Sequence, residues 1–206
     1  MNDIPKNLQA RPVINGFILP WFVDETIDPI DFRVSDQRKI FKAHRQALCW
    51  ICGKRRDPTF SFVIGPMCSI NRISAEPPAH HDCAMYSVTH CPFLSRPQMK
   101  RSPRDLPVDK IDPPGNMLLR NPGVVAIWVT KDYETSVHPE GLLFHIGDPL
   151  KVQWFRQGQT ATRSEVLESI DKGFPLLMNA ALNDGLGAIQ ELQVLRQRAM
   201  RYVPLE

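Results

Sequence analysis

Four residues with the chemistry of metal ligands lie in two close pairs along the chain. The first pair is Cys49 and Cys52, in the run LCWICGKRR, and the second is His80 and Cys83, in the run EPPAHHDCA. A structural zinc site needs four cysteine or histidine ligands around one ion, and Cys-x-x-Cys supplies two of them from one tight turn. The spacing therefore predicts one zinc ion bound by these four side chains.

The elements that must position these ligands can be predicted from the surrounding residues. Gly53 follows the second cysteine, where the chain must turn sharply and a positive φ is useful. Pro77 and Pro78 suit the start of a helix, and ligands three residues apart in its first turn share one face. Between the pairs, TFSFVIG and CSINRIS flank the turn signal GPM and predict a β-hairpin. A turn, a hairpin and a helix in this order predict a treble-clef-like zinc module.

Two alternatives to this ligand set remain open at the level of sequence. Cys68 or Cys91 could replace one of the four ligands, although both are more simply interpreted as small buried apolar residues. The Cys-x-x-Cys pair could instead be two buried thiols or a redox pair.

Proline is unusually frequent in the middle of the chain. Of 19 prolines among 206 residues, eleven lie between Pro58 and Pro122. Proline lacks an amide donor and clashes with the preceding helical turn, so this region cannot be mostly helical. We expect loops and short strands whose shape depends on the metal.

The cysteine count indicates a cellular compartment. The chain has five cysteines, and an odd number without an export signal favours a reducing cytoplasm and thiolate chemistry over disulfides. The apolar run VINGFILPWFV contains a proline and no cleavage site after it, so we interpret it as part of the fold. No run approaches the roughly 20 apolar residues that a membrane span requires.

Charge is unevenly distributed along the chain. The net charge is only +3, but residues 38–56 carry seven basic residues and no acid. A basic segment next to a metal-stabilised turn predicts a phosphate-binding surface, although a solvated basic face is the simpler interpretation. The candidate nucleic-acid contacts are Arg45, Lys54, Arg55, Arg56 and Arg72.

The pattern of helices and strands predicts an α+β fold. A helix with Ser35 as its N-cap leads into Cys49, and apolar runs in the last third predict strands. The capping box at Thr162 opens a helix that should end at Gly173, followed by two further helices. Four parts are predicted: an extended arm (1–34), the zinc module (35–95), a proline-rich basic linker (96–120) and an α/β C-terminal part with helices (121–206).

Several longer motifs resemble a family of open reading frames from bacterial and phage genomes. They are CWICG, FVIGPMCSINR, EPPAHHDCA, CPFLSRP, GLLFHIGDP, WFRQGQTATRSEVLESI and GFPLL. The resemblance extends from about residue 48 to the C-terminus. It implies a zinc-binding protein and assigns no reaction.

These observations predict an accessory or regulatory protein, stabilised by zinc, that binds a nucleic acid or another protein. A phage or mobile-element origin would suit such a role. The alternative is a metal-dependent hydrolase or nuclease on a treble-clef scaffold. A site with four protein ligands leaves zinc no open position for water, and the chain lacks a phosphate loop, a nucleophile elbow and a dinucleotide fingerprint. An enzyme is therefore the less favoured prediction.

Overall fold

The fold was obtained as a computed structural model, which describes residues 4–96, 98–107, 113–114 and 120–206. Of the predicted linker at 96–120, residues 97, 108–112 and 115–119 lie outside the described residues. Its described ends approach each other, because Lys100 and Arg120 form an isolated β-bridge.

The chain begins with a small hairpin that leads to the first helix. Strands β1 (Val13–Ile14) and β2 (Phe17–Ile18) pair antiparallel. Helix α1 (Gln37–Arg45) is capped by Asp36, whose side chain accepts a hydrogen bond from the Arg38 amide. The predicted cap, Ser35, is therefore wrong by one residue.

A four-stranded antiparallel sheet forms the centre of the protein. Its order is β3-β5-β8-β9, and it connects strands from the predicted zinc module and from the predicted C-terminal part. Phe62 of β3 lies opposite Trp128 of β5, which in turn lies opposite Val152 of β8. The strands are β3 (Phe60–Ile64), β5 (Val125–Thr130), β8 (Pro149–Arg156) and β9 (Gln159–Thr160).

A second, three-stranded sheet has the order β4-β7-β6. Strand β7 (Gly141–Ile146) was expected from its apolar run. Strand β6 (Tyr133–His138) was not, because its sequence YETSVH is polar. It pairs with β7 along its full length, and β4 (Ile73–Ser74) pairs with the other edge of β7.

The predicted hairpin after β3 is wrong. Residues Pro66–Asn71 form helix α2, with extended Gly65 as its N-cap. Proline is favoured in the first helical turn, where its missing amide costs nothing. Arg72 ends the helix in a left-handed conformation with φ of 60°. Strand β3 consequently pairs with β5, and the hairpin of a treble clef is not formed.

The last third contains two long helices, α5 (Arg163–Asp184) and α6 (Leu186–Ala199), then a short 3-10 helix (Met200–Tyr202). The predicted end of α5 at Gly173 is wrong. Gly173 is buried, and a Cβ there would lie 2.7 Å from Cε of Met67. The glycine therefore permits close packing of α5 on α2 instead of ending the helix.

The central sheet is covered on both faces. One face packs Trp128, Trp154 and Phe62 with α2, α5 and α6 in the largest core. The other face packs Ile127 and Phe155 against α3 (His81–His90), followed by the short α4 (Pro92–Ser95). This second face holds the metal-ligand helix against the sheet.

Candidate metal centre

The first pair of candidate ligands lies in a tight turn. The Cys49 amide donates to the Lys54 carbonyl at 2.8 Å, and the Gly53 amide donates to the Cys49 carbonyl at 2.9 Å. Gly53 has φ of +75°, and a Cβ there would lie 2.5 Å from the Trp21 ring. Only glycine meets both requirements, so its place after the second cysteine has a steric and a conformational reason.

The second pair lies at the start of α3. His80 is the N-cap residue, and Cys83 is in the first turn of the helix, which begins at His81. Two backbone contacts fix this segment. The Trp50 amide donates to the Pro78 carbonyl at 3.2 Å and joins the segment to the turn, and the Ala79 amide donates to the Ser61 carbonyl of β3 at 2.8 Å and holds the segment against the central sheet.

The four side chains converge on one point. One ligand atom from each of Cys49, Cys52, His80 and Cys83 lies within 4.8 Å of every other, and all four residues are buried. Tetrahedral zinc with Zn–S bonds of about 2.3 Å places sulfur atoms about 3.8 Å apart. The observed spacing is therefore suited to one ion of this size.

The imidazole of His80 is oriented as a metal ligand. Its Nε2 lies 2.9 Å from the Arg55 carbonyl, which accepts a hydrogen bond from that nitrogen. Its Nδ1 faces the sulfur of Cys52 at 3.3 Å and that of Cys83 at 3.9 Å. A carbonyl on one ring nitrogen fixes the tautomer and leaves the other nitrogen to bind metal. The contribution of Arg55 is a backbone atom, which no sequence signal identifies.

Backbone amides and neighbouring donors favour the charged form of Cys49. The amides of Cys52 and His80 donate to its sulfur at 3.5 and 3.3 Å. Burial by itself would raise the pKa of the Cys49 thiol, but hydrogen bonds within the cluster outweigh it and hold the pKa well below its ordinary value. Metal binding requires thiolates, so these donors support a cation at this position.

The remaining protons of the cluster are held by the same sulfurs. Hydrogen bonds to Cys49 and Cys52 raise the pKa of His80 to about 11. Hydrogen bonds to the same two sulfurs also raise the pKa of the Cys83 thiol. Buried side chains of the cluster thus share protons through hydrogen bonds. A metal ion that displaced these protons would bind all four ligand atoms. The four residues therefore suit a metal ion such as zinc.

Cys68 and Cys91 lie outside the four-residue cluster. Both are half-buried free thiols. Burial raises the pKa of Cys68 to about 11 and also raises that of Cys91. Both side chains are therefore neutral thiols near pH 7.

The candidate nucleic-acid contacts lie in three different environments. Arg45, Lys54 and Arg55 are exposed, and the last two directly follow the metal-binding turn in the sequence. Arg56 is only 9% exposed, lies over the Phe60 ring at 4.8 Å and donates to the Leu48 carbonyl. Arg72 is half-buried at the end of α2. Three of the five residues are thus exposed and available to a phosphate backbone.

Comparison of the chain with protein-family models, with curated proteins and with solved structures gives no match. The resemblance drawn from the motifs stays a prediction. Among the described residues, no helix combines the length and apolar composition that a bilayer crossing requires.

Proposed function

We propose that this protein is a zinc-stabilised accessory or regulatory protein that contacts the backbone of a nucleic acid. The observation that carries the proposal is the buried convergence of three cysteines and one histidine within 4.8 Å. Four protein ligands close the coordination of zinc, which is typical of a structural role. Zinc would then keep the turn that carries Cys49 and Cys52 in one conformation, and with it the surface that the turn forms.

The contact surface of this proposal is the basic rim of the metal site, which we define as Arg45, Lys54 and Arg55. Lys54 and Arg55 directly follow the metal-binding turn, and the Arg55 carbonyl is fixed by His80. Three thiolates, a neutral imidazole and Zn²⁺ carry a net charge of −1, so adjacent cations also offset the charge of the cluster. Exposed Lys and Arg residues near a rigid turn suit phosphate groups, which they bind without reading sequence.

Three finer predictions belong to this proposal. The turn and α3 resemble the ligand-bearing parts of a treble clef, with the β3–β5 pairing in place of its hairpin. A cytoplasmic location is supported by the five free cysteines. A bacterial or phage origin is supported by the motif resemblance alone.

Replacement of all three basic-rim residues by alanine should weaken nucleic-acid binding. It should also reduce the dependence of the binding constant on salt concentration. Each lost phosphate contact lowers the slope of log K against log salt by about 1, so the triple variant should lose about 3. Fluorescence anisotropy with single- and double-stranded oligonucleotides, from low to moderate salt, measures this slope. The absence of binding at the lowest salt would contradict the proposal.

A triple variant of Lys6, Lys100 and Lys131 to alanine is the matched control. These lysines are exposed and distant in sequence from the rim, and the change in net charge is the same. The control should keep the slope of the unmodified protein. Equal losses in both variants would indicate general charge attraction instead of a defined surface.

A protein partner is the second candidate. It is favoured by exposed apolar residues on α5 and α6, including Leu182 at 57% and Leu186 at 79% exposure. A hydrolase is supported less well, because closed coordination leaves no site for an activated water.

A further inference from the structure

A basic cavity lies at the end of α2, and none of the candidate metal ligands lines it. Its volume is about 320 Å³, and its walls are Arg72, Asp148, Arg198, Arg201 and Tyr202. Three guanidinium groups and one carboxylate give the cavity a net charge of +2. Cavities of this size hold small ligands.

Arg72 is fixed in position before any ligand binds. Its guanidinium lies over the Trp128 ring at 4.2 Å and near the Tyr202 ring at 5.3 Å. Its Nη1 donates to the Gly147 carbonyl at 3.1 Å. The side chain is 17% exposed. A stacked, hydrogen-bonded guanidinium loses little further entropy when it binds an anion.

The other two arginines have no anionic partner within the part of the chain that the structure describes. Arg198 and Arg201 are exposed, and neither forms an ion pair or a side-chain hydrogen bond there. The one carboxylate of the cavity, Asp148, approaches Arg72 at 3.4 Å but is 92% exposed. Such an exposed pair contributes little. The positive charge of the cavity is therefore largely uncompensated.

An apolar groove of about 530 Å³ adjoins this cavity. The two share Arg201 and Tyr202 as a common wall. The groove is lined further by Val152, Phe155 and Val203. A ligand that used both would need an anionic group joined to an apolar body.

We propose that the cavity binds the phosphate group of a small phosphomonoester, with the apolar part of the ligand in the adjoining groove. A phosphomonoester carries a charge near −2 at pH 7, because its second pKa is about 6, and this charge matches the +2 of the cavity. Guanidinium groups bind phosphate oxygens through paired hydrogen bonds. This site is separate from the basic rim, and its ligand is a small molecule.

Isothermal titration of the zinc-loaded protein with phenyl phosphate tests the proposal. We expect saturable 1:1 binding that is tighter than that of inorganic phosphate, since only the ester reaches the groove. Phenol, which lacks the anion, should give no measurable heat. Absence of saturable binding by phenyl phosphate would overturn the proposal, and so would equal affinity for inorganic phosphate.

Three variants locate the binding. Arg198→Ala and Arg201→Ala should each weaken it about tenfold or more, because each removes a charge-assisted hydrogen bond. Asp148→Asn should tighten the binding of phenyl phosphate, because the substitution removes a negative charge that repels the anion. The Asp148 side chain is 92% exposed, so we expect the fold to tolerate the change. Arg96→Ala, a matched exposed arginine outside the cavity, should have no effect. Binding that Arg198→Ala and Arg201→Ala leave unchanged would refute the assignment, even if phenyl phosphate bound elsewhere.

Discussion

Replacement of Cys52 by serine is expected to lower the free energy of unfolding by more than about 4 kcal/mol, the range reached when a metal site is lost. The physical reason is that metal binding supplies folding free energy, and the turn that carries Cys49 and Cys52 forms no helix or strand of its own. Eleven prolines limit the ladders and helices that residues 58–122 can form. Loss of one sulfur also leaves the other three buried ligands without the cation that they share.

Urea denaturation and hydrogen exchange measure this effect. Amide protection should fall in the turn and in the first turn of α3, with order lost across residues 49–91. A metal chelator should reproduce the effect in the unmodified protein.

Cys91→Ser and Cys68→Ser are the matched controls for this experiment. Both remove a half-buried thiol outside the cluster, and each should cost within about 1 kcal/mol. Equal destabilisation by Cys52→Ser and Cys91→Ser would mean that the ligands have been assigned wrongly.

Truncation of Trp128 to alanine is expected to cost about 3–5 kcal/mol, the range for large aromatic residues in a core. Trp128 is fully buried in β5, opposite Phe62 of β3 and Val152 of β8. Its Nε1 donates to the Gly147 carbonyl at 3.0 Å, and Arg72 stacks on its ring. The substitution therefore removes packing from the face of the central sheet that α2, α5 and α6 cover, together with the support of Arg72.

Urea denaturation followed by far-UV circular dichroism and by tryptophan fluorescence tests this prediction. Because β3 shares its sheet with β5, both signals should shift together in one transition. Phe41→Ala, at a 36% exposed position of α1, should cost less than about 1 kcal/mol. Two separate transitions, of which Trp128→Ala moves only one, would show that the two regions have independent cores.

The metal cluster could be predicted from the sequence because its information is local. Each ligand pair is separated by two residues, and Gly53 and the proline pair indicate the backbone that each half adopts. The prediction that the two ligand pairs lie close together rests on a single assumption, that four soft ligands in one chain bind one ion.

The partners of the strands could not be predicted in this way. Pairing of β3 with β5 joins residues more than 60 positions apart, and no local pattern specifies it. GPM was interpreted as a turn, yet Pro66 opens a helix, because a proline after an extended glycine suits both structures. Strand β6 was missed because its outward residues are polar, and its pairing with β7 decides its conformation.

Tertiary contacts also determine the packing and burial of individual residues. Gly173 was expected to end a helix, but its contact with Met67 gives it a packing role. Arg56 was expected at the surface because its neighbours Lys54 and Arg55 are basic. The rings of Phe60 and Tyr133 cover it instead, and sequence alone gives no sign of that burial.

X-ray absorption at the zinc K-edge, on protein purified without added metal and then loaded with one equivalent of zinc, tests the ligand set directly. We expect three sulfur neighbours at about 2.3 Å and one nitrogen neighbour at about 2.0 Å from the ion. A first shell made mainly of oxygen and nitrogen, or zinc that washes out on gel filtration, would contradict it.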